Sequence, residues 1–210
     1  MINVVLADDH VIVREGLKQL LHEERDIEVT GEASDCAEAL ELVQRLQPDI
    51  VVLDISMPGR GGLDTLKQIQ NLSPHPSVII LSMHSAEKYA FRAFQAGAMA
   101  YLTKKHAYAE LVEAIHTAHS GRKFVSREPA EILATHIGPS STQAPHEALS
   151  DREMEVLLFI GQGYTVGEIA EKLRLSPKTI STYRTRILEK LTLKNNADMV
   201  EYVQRNRLDT

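Results

Sequence analysis

Short apolar runs alternate with segments of helical period along the first 120 residues of the chain. The runs are mostly rich in Val, Ile and Leu and are bounded by turn or polar residues, which predicts strands. These strands are expected at 2–7, 27–31, 50–53, 78–82 and 99–103. Segments with apolar residues at three- and four-residue spacing predict helices at 11–22, 35–46, 63–72, 86–96 and 107–119. Five strands alternating with five helices predict an α/β fold, a doubly wound parallel sheet with helices on both faces.

From Leu149 onwards the pattern becomes all-helical, and the helix starts are clearly marked. Segments 150–153 and 165–168 match the capping box, while 176–177 is a serine N-cap followed by proline. Three starts so close together predict short helices with tight turns, as in a helix-turn-helix. Residues 138–146 have the Gly, Pro and Ser content of a flexible linker. We therefore predict a first domain at 1–121, a linker at 122–147 and a small all-α domain at 148–210.

Charge separates the two predicted domains. The chain has a net charge of −6, with 13 Lys+Arg against 20 Asp+Glu in residues 1–148 and 10 against 9 in residues 149–210. Residues 172–190 hold six basic residues and only one acidic residue, Glu189. A basic patch on an acidic chain indicates a polyanion such as DNA as partner, although such runs are usually only solvated helix faces.

The composition, 43% hydrophobic and 25% charged, excludes a disordered chain. No stretch approaches the roughly 18 apolar residues that cross a bilayer, and the first ten residues lack a positive signal-peptide region. Cys36 is the only cysteine, which excludes an intrachain disulfide. We therefore expect a cytoplasmic protein that has no membrane partner.

Polar side chains end four of the five predicted strands: Asp8 and Asp9 the first, Asp54 the third, Ser82 the fourth and Lys104 the fifth. Ligands bind at the carboxyl ends of the strands in such sheets, so these groups are expected on one rim. Two carboxylates about 4 Å apart repel by roughly 4 kcal/mol at an effective dielectric constant near 20. The pattern therefore predicts a divalent cation with oxygen ligands, Mg²⁺ first. The alternative is that the aspartates only cap the helices that follow.

A phosphoryl transfer would use this set of groups. Asp54 suits the nucleophile, Asp8 and Asp9 suit the metal side, and Ser82 with a lysine would take the charge on the phosphoryl oxygens. Spacing alone does not separate Lys104 from Lys105 in that role.

The motifs resemble a known family over nearly the whole chain. Val-Leu-Ala-Asp-Asp-His10, Leu-Asp54-Ile-Ser-Met-Pro-Gly59 and Gly97-Ala-Met-Ala-Tyr-Leu-Thr-Lys104 are similar to the flavodoxin-like receiver of two-component response regulators. Leu149-Ser-Asp-Arg-Glu153, Glu168-Ile-Ala170 and Leu175-Ser-Pro-Lys-Thr-Ile180 resemble the LuxR-type output domain of the NarL/FixJ class. The joint order and spacing of these motifs are far more specific than any one of them.

The resemblance assigns a role to each residue of the rim. It implies Asp54 as phosphoacceptor, Asp8 and Asp9 as the acidic pocket with Asp9 and Asp54 on Mg²⁺, and the Ser56 backbone carbonyl as a further ligand. It implies Ser82 and Tyr101 as switch residues and Lys104 as the phosphate partner, while Tyr101 also has an alternative interpretation as a half-buried strand aromatic. A sensor histidine kinase would supply the phosphoryl group, and the switch would act as a population shift.

The predicted recognition helix covers 176–190, with 165–173 as the supporting helix. Short hydroxyl side chains on the outer face are expected to reach base edges, and basic side chains are expected to meet phosphates. We predict base contacts from Ser181, Thr182 and Thr185, and contacts nearer the backbone from Lys178, Arg184, Arg186 and Lys190. Many family members carry histidine where this chain has Tyr183, which leaves the contact of that residue open.

Specific binding by one small helix-turn-helix normally requires a dimer on two half-sites. A phosphorylated homodimer could form through the last helix, at about 196–205, or through the receivers, and the sequence does not choose. RNA polymerase is a further candidate partner.

Two other classes of protein compete with a switched DNA-binding regulator. A Mg²⁺-dependent phosphatase usually needs a second acid two residues after its nucleophile, where this chain has Ser56. A DNA-binding protein with an unphosphorylated receiver is disfavoured by the complete acidic and lysine set. We therefore predict a regulator and not an enzyme.

Overall fold

The computed structural model describes residues 1–57, 61–83, 86–126, 145–173, 175–206 and 208. The chain divides into two compact units, Met1–Gly138 and Pro139–Thr210, and each is treated by itself. Most of the predicted linker, 127–144, lies outside the described residues, as does Arg174 of the basic run. Among the described residues, no helix is both long and apolar enough to cross a membrane.

The first unit is the predicted five-stranded parallel sheet. Its strands are paired in parallel in the order β2-β1-β3-β4-β5. They are β1 (Ile2–Ala7), β2 (Ile27–Ala33), β3 (Ile50–Asp54), β4 (Ser77–Ser82) and β5 (Ala100–Thr103). The prediction of the fold class is confirmed, and the largest difference is that β2 continues two residues beyond its predicted end, to Ala33.

Within the described residues, five helices cover both faces of this sheet. They are α1 (Val11–His22), α2 (Cys36–Leu46), α3 (Gly62–Gln70), α4 (Ala86–Gln95) and α5 (Ala107–His119). One core layer packs α2, α3 and α4 against the sheet through residues such as Leu42, Leu66 and Ala90. The other packs α1 and α5 through residues such as Leu17 and Ile115. Both faces of the sheet are buried, which explains why its strands are continuous apolar runs.

The strand order sets the position of the polar rim. The chain starts in β1, moves outward to β2 and then returns to the other side of β1 as β3, with Ala7 paired to Leu53. The ends of β1 and β3 are therefore neighbours at the topological switch point, where doubly wound sheets bind their ligands.

The second unit is all-helical. A short 3-10 helix (Pro145–Ala148) precedes α6 (Asp151–Gly161), α7 (Val166–Lys172), α8 (Pro177–Leu191) and α9 (Asn196–Arg205). Both capping boxes are formed, and Ser176 caps α8 with Pro177 at its first turn. The helix starts were therefore predicted correctly, because their signals lie in side chains that bond to the backbone locally.

A single small core holds these four helices together. Its fully buried members include Ile169 on α7, Ile180 and Ile187 on α8, and Val203 on α9. A methyl group on Gly161 would lie 2.6 Å from Val203, so α6 and α9 can approach this closely only because position 161 has no side chain. The core fixes which face of α8 remains outside.

Candidate functional site

Three carboxylates and an imidazole meet at the carboxyl ends of β1 and β3. Asp8, Asp9, His10 and Asp54 each offer one ligand atom, and these four atoms lie within 4.8 Å of one another. Asp54 is fully buried, and Asp8 is 2% exposed. The structure thus brings the predicted acidic residues together, as the strand order requires.

Lys104, at the end of β5, reaches into this cluster. Its Nζ lies 2.8 Å from Asp54 Oδ2 and 2.7 Å from Asp8 Oδ2. Its side chain is only 5% exposed, whereas the neighbouring Lys105 is exposed. The geometry therefore resolves the ambiguity of the spacing in favour of Lys104 as the lysine of the cluster.

Burial and charge oppose each other at this site. Burial raises the pKa of Asp54 above its ordinary value, and the attraction and hydrogen bond of Lys104 reduce this effect without cancelling it. Burial alone would lower the pKa of Lys104, but its interactions with Asp54 and Asp8 outweigh burial and raise the pKa. The raised pKa values of Asp54 and Lys104 both mean that the cluster holds protons more strongly than isolated groups would, so it favours added positive charge.

The donor set fits a small divalent cation. Three carboxylates against one ammonium leave a formal charge of −2, and hard oxygen ligands are those that Mg²⁺ prefers. Ser56 lies in the turn after β3, and its amide donates to Asp54 Oδ1 at 2.9 Å. This turn holds the Asp54 carboxylate at the rim, and the role of the Ser56 carbonyl as a ligand stays a prediction.

The two predicted switch residues are both buried. Ser82 ends β4, one residue after Leu81, the strand partner of Asp54. Its carbonyl accepts a hydrogen bond from the Lys104 amide at 2.7 Å. Tyr101 is fully buried in the core layer of α2, α3 and α4, so it is not the half-buried aromatic of the alternative interpretation. Their roles as switch residues stay predictions.

Two residues near the rim had no predicted role. Arg14 on α1 donates to the Asp8 carbonyl at 2.6 Å and pairs with Glu32 on β2 at 3.1 Å, so it ties the acidic turn to the edge strand. His10 Nδ1 lies 2.8 Å from Asp9 Oδ1. The place of His10 directly after the acidic pair was the available signal, but the partners of Arg14 follow only from the fold.

The outer face of α8 carries the predicted DNA contacts. Lys178, Ser181, Thr182, Thr185 and Arg186 are exposed. The three hydroxyls donate to carbonyls one turn earlier, such as Thr185 Oγ1 to Ser181 at 3.1 Å. The hydroxyl hydrogens are therefore used within the helix, while the hydroxyl oxygens of these exposed residues can still accept hydrogen bonds.

Two of the predicted basic contacts are engaged within the domain. Arg184 is half-buried and hydrogen-bonds to Asn196 at the start of α9. Lys190 donates to Glu153 Oε2 at 2.6 Å and to the Ala148 carbonyl at 3.2 Å. The structure thus gives Lys190 a role in joining α8 to the start of α6, and its predicted contact with DNA stays a prediction.

The last helix packs on its own domain. Met199 and Val203 of α9 are fully buried in the core, and Val200 is half-buried. Met199 and Val203 are therefore not available as an apolar surface for a second copy. The other residues of α9 and the receiver are the two remaining candidate surfaces for a dimer.

Two family models match the chain. The model of the response regulator receiver domain matches residues 4–116, and that of the luxR family of bacterial regulatory proteins matches residues 147–203. The first match contains the acidic cluster and the second contains α8.

Similar proteins match this chain over nearly its whole length and theirs. The response regulator UvrY of Escherichia coli is 37% identical over 99% of this chain and 96% of its own. The transcriptional regulatory protein LiaR of Bacillus subtilis is 37% identical over 99% of both chains. Among solved structures, RcsB from Salmonella enterica serovar Typhimurium, bound to promoter rprA with phosphomimetic BeF₃⁻, is 28% identical over 97% of this chain and 99% of its own, with a TM-score of 0.65. RcsB has also been solved as two dimers bound to two parallel DNAs.

Proposed function

The chain belongs to the response regulators that join a receiver domain to a LuxR-type DNA-binding domain, and we propose that phosphorylation of Asp54 controls its binding to DNA. Its relatives are transcriptional regulators and not enzymes, which excludes the phosphatase alternative. We place the receiver at 1–121, the linker at 122–147 and the DNA-binding domain at 148–210. The observation that carries the proposal is the position of Asp54 at the switch point of the sheet, where Lys104 lies between its carboxylate and that of Asp8.

Phosphorylation would come from the phosphohistidine of a sensor kinase. A carboxylate oxygen of Asp54 attacks phosphorus, and the new P–O bond forms as the P–N bond breaks. The electron pair of that bond leaves with the imidazole, which then takes a proton from solvent. Lys104, already 2.8 Å from Asp54, holds its positive charge next to the new phosphoryl oxygens.

Asp9, Asp54, Asp8 and the Ser56 carbonyl would hold Mg²⁺. When bound, this ion would supply positive charge that stabilises the phosphoryl oxygens during the transfer and in the phosphorylated product. The raised pKa of Asp54 supports the assignment, because a cation at the cluster favours the ionised carboxylate that attack requires.

The switch would pass from Asp54 through Ser82 to Tyr101. The phosphoryl group draws the Ser82 hydroxyl and the Lys104 ammonium towards its oxygens. Movement of Ser82 frees space for Tyr101, whose ring is packed against the layer that includes α4. A change from 1:99 to 99:1 between two states needs about 5.5 kcal/mol of differential stabilisation, which charge-assisted contacts and repacking together can approach.

DNA binding would place the outer face of α8 in the major groove. Ser181, Thr182 and Thr185 would contact base edges, and Lys178, Arg184 and Arg186 would lie nearer the phosphates. The RcsB complexes support a homodimer on DNA. RNA polymerase would be a further partner. We propose that the protein binds its target DNA in the cytoplasm.

The test is covalent labelling of the intact chain with radioactive acetyl phosphate in Mg²⁺. Wild type and Asp64→Asn, a matched change of a half-buried aspartate on α3, are expected to label alike. Asp54→Asn is expected to lose the label while its circular dichroism spectrum stays native. Full labelling of Asp54→Asn would show that another residue is the phosphoacceptor.

A further inference from the structure

His10 lies over the acidic cluster as part of the same turn. Its Nδ1 is 2.8 Å from Asp9 Oδ1 and 3.3 Å from Asp8 Oδ1. The turn is fixed by the backbone, because the His10 amide donates to Asp8 Oδ1 at 2.8 Å. The imidazole side chain is 58% exposed, so its other nitrogen can remain in contact with water.

These distances match the edge of a metal coordination shell. In an octahedral shell with ligand bonds of about 2.1 Å, neighbouring ligand atoms are about 3 Å apart and opposite ones about 4.2 Å apart. The His10 nitrogen has the spacing of a neighbouring ligand to both aspartates, and all four donor atoms lie within 4.8 Å of one another. One ion can therefore reach the carboxylates and the imidazole together after small movements.

We propose that His10 Nδ1 is a direct ligand when the acidic cluster binds a first-row transition-metal ion, whereas Mg²⁺ is bound there through oxygen atoms alone. The inference rests on the metal site of the proposed function and adds a nitrogen donor to it. Imidazole nitrogen favours ions such as Ni²⁺ and Zn²⁺, while Mg²⁺ prefers carboxylate, carbonyl and water oxygens. His10 thereby gives the pocket a metal preference that its three carboxylates do not provide.

The opposing interpretation is that His10 only orients Asp9 through an Nδ1–H hydrogen bond. Such an outer contact strengthens the ligand for every ion that Asp9 binds. The two roles therefore differ in their selectivity: a direct nitrogen ligand acts on the transition metal, whereas an orienting contact acts on Mg²⁺ as well.

The first experiment is calorimetric titration of the full chain with Ni²⁺ and, separately, with Mg²⁺. The test variant is His10→Asn, because asparagine is also a good residue for the N-cap position that His10 occupies at α1. The control is His106→Asn, which changes the histidine that occupies the N-cap position of α5, the helix after β5. His10→Asn is expected to weaken Ni²⁺ by at least about tenfold and Mg²⁺ by less than about twofold, and His106→Asn is expected to change neither.

The second experiment observes the bond itself. Cu²⁺ is a first-row transition-metal ion that imidazole nitrogen suits, and pulsed electron paramagnetic resonance detects a nitrogen bound directly to it. Nitrogen coupling is expected in wild type and in His106→Asn, and its loss is expected in His10→Asn.

The outcomes separate this inference from the proposed function. Cu²⁺ bound without nitrogen coupling, or equal weakening of Ni²⁺ and Mg²⁺ in His10→Asn, would overturn the role of His10 as ligand and leave the Mg²⁺ site standing. Absence of Mg²⁺ binding in wild type would instead contradict the metal site of the proposed function, and the inference would fail with it.

Discussion

Lys104 and Lys190 show how differently the two units use a charged side chain. Lys104 is 5% exposed and lies between two buried carboxylates at the ends of three strands. Lys190 is 40% exposed and bonds to one buried carboxylate, Glu153, which also accepts from the Ser150 amide. In the receiver the charges are buried and depend on one another, whereas in the DNA-binding domain one buried charge anchors a mostly exposed helix.

The exposed part of that helix is the second half of the contrast. Lys178 and Arg186 make no ion pair within the described part of the chain, and both are exposed. Surface charges of this kind contribute little to stability. We therefore expect substitutions to change stability at the buried cluster and DNA affinity at the exposed face.

The largest effect is expected for Lys104→Met. Its loss leaves Asp8 and Asp54 buried without their cation, and breaking such a pair typically lowers the free energy of unfolding by about 3 kcal/mol or more. Urea denaturation followed by hydrogen exchange of the β3 amides measures this for the first unit. The control is Lys105→Met, since Lys105 is exposed and should be neutral. Equal losses for the two lysines would contradict the buried role of Lys104.

A double variant sharpens this result. Adding Asp54→Asn to Lys104→Met removes one of the two unpaired carboxylates, so the double variant should be more stable than Lys104→Met alone. An additive double variant would show that the lysine and the aspartate do not interact in solution.

The next effect concerns DNA and not stability. If Lys178 and Arg186 each meet one phosphate, Lys178→Ala or Arg186→Ala should reduce the slope of log affinity against log salt by about 0.9. Fluorescence anisotropy on random-sequence duplexes over a range of salt concentrations measures the slope. Lys194→Ala, an exposed lysine outside α8, is the control. An unchanged slope in either α8 variant would remove that residue from the phosphate contacts.

Lys190→Met should act as a stability change of intermediate size. The lost contacts with Glu153 and Ala148 should cost about 1 kcal/mol, less than at Lys104 because Lys190 is partly exposed. Hydrogen exchange of α6 amides reports it, with Lys194→Met as control. The opposite result would be unchanged hydrogen exchange together with a smaller slope of log DNA affinity against log salt. It would show that Lys190 contacts a DNA phosphate and does not stabilise the domain.

The smallest effect is the dependence of the second unit on pH. Burial alone would raise the pKa of Glu153, but Lys190 and the Ser150 amide and hydroxyl outweigh it, so the pKa is lowered on folding. The stability contributed by this lowered pKa is therefore fully present above the unfolded pKa of about 4.3 and is lost as the pH falls through the lower folded pKa. Denaturation at a series of pH values should show a weaker acid dependence for Glu153→Gln than for wild type. The same acid dependence in Glu153→Gln and in wild type would show that Glu153 does not contribute to the loss of stability in acid.

The acidic cluster of the receiver was predictable from sequence because the topology of the sheet determines where its residues lie. Once five apolar strands are assigned to a parallel sheet, Asp8, Asp54 and Lys104 must lie on one rim. What the sequence could not give are contacts between groups distant along the chain, such as Lys104 bridging Asp8 and Asp54 or Arg14 bonding to the Asp8 carbonyl.

The DNA-binding domain was predictable in its helix starts but less so in its surface. Capping signals are local, so α6, α7 and α8 begin where they were expected. The sequence does not show whether a basic residue on a helix contacts a DNA phosphate or a buried glutamate. Lys190 donates a hydrogen bond to Glu153 in the structure. The same uncertainty applied to α9, whose Met199 and Val203 turned out to lie in the domain core.

The most direct test of the phosphorylation switch combines light scattering with selection from random-sequence DNA, with and without beryllofluoride in Mg²⁺. Wild type is expected to become a dimer that selects particular sequences only when beryllofluoride is present, and Asp54→Asn is expected not to respond. DNA selection that is identical with and without beryllofluoride would contradict the switch and leave only a DNA-binding protein with an unresponsive receiver.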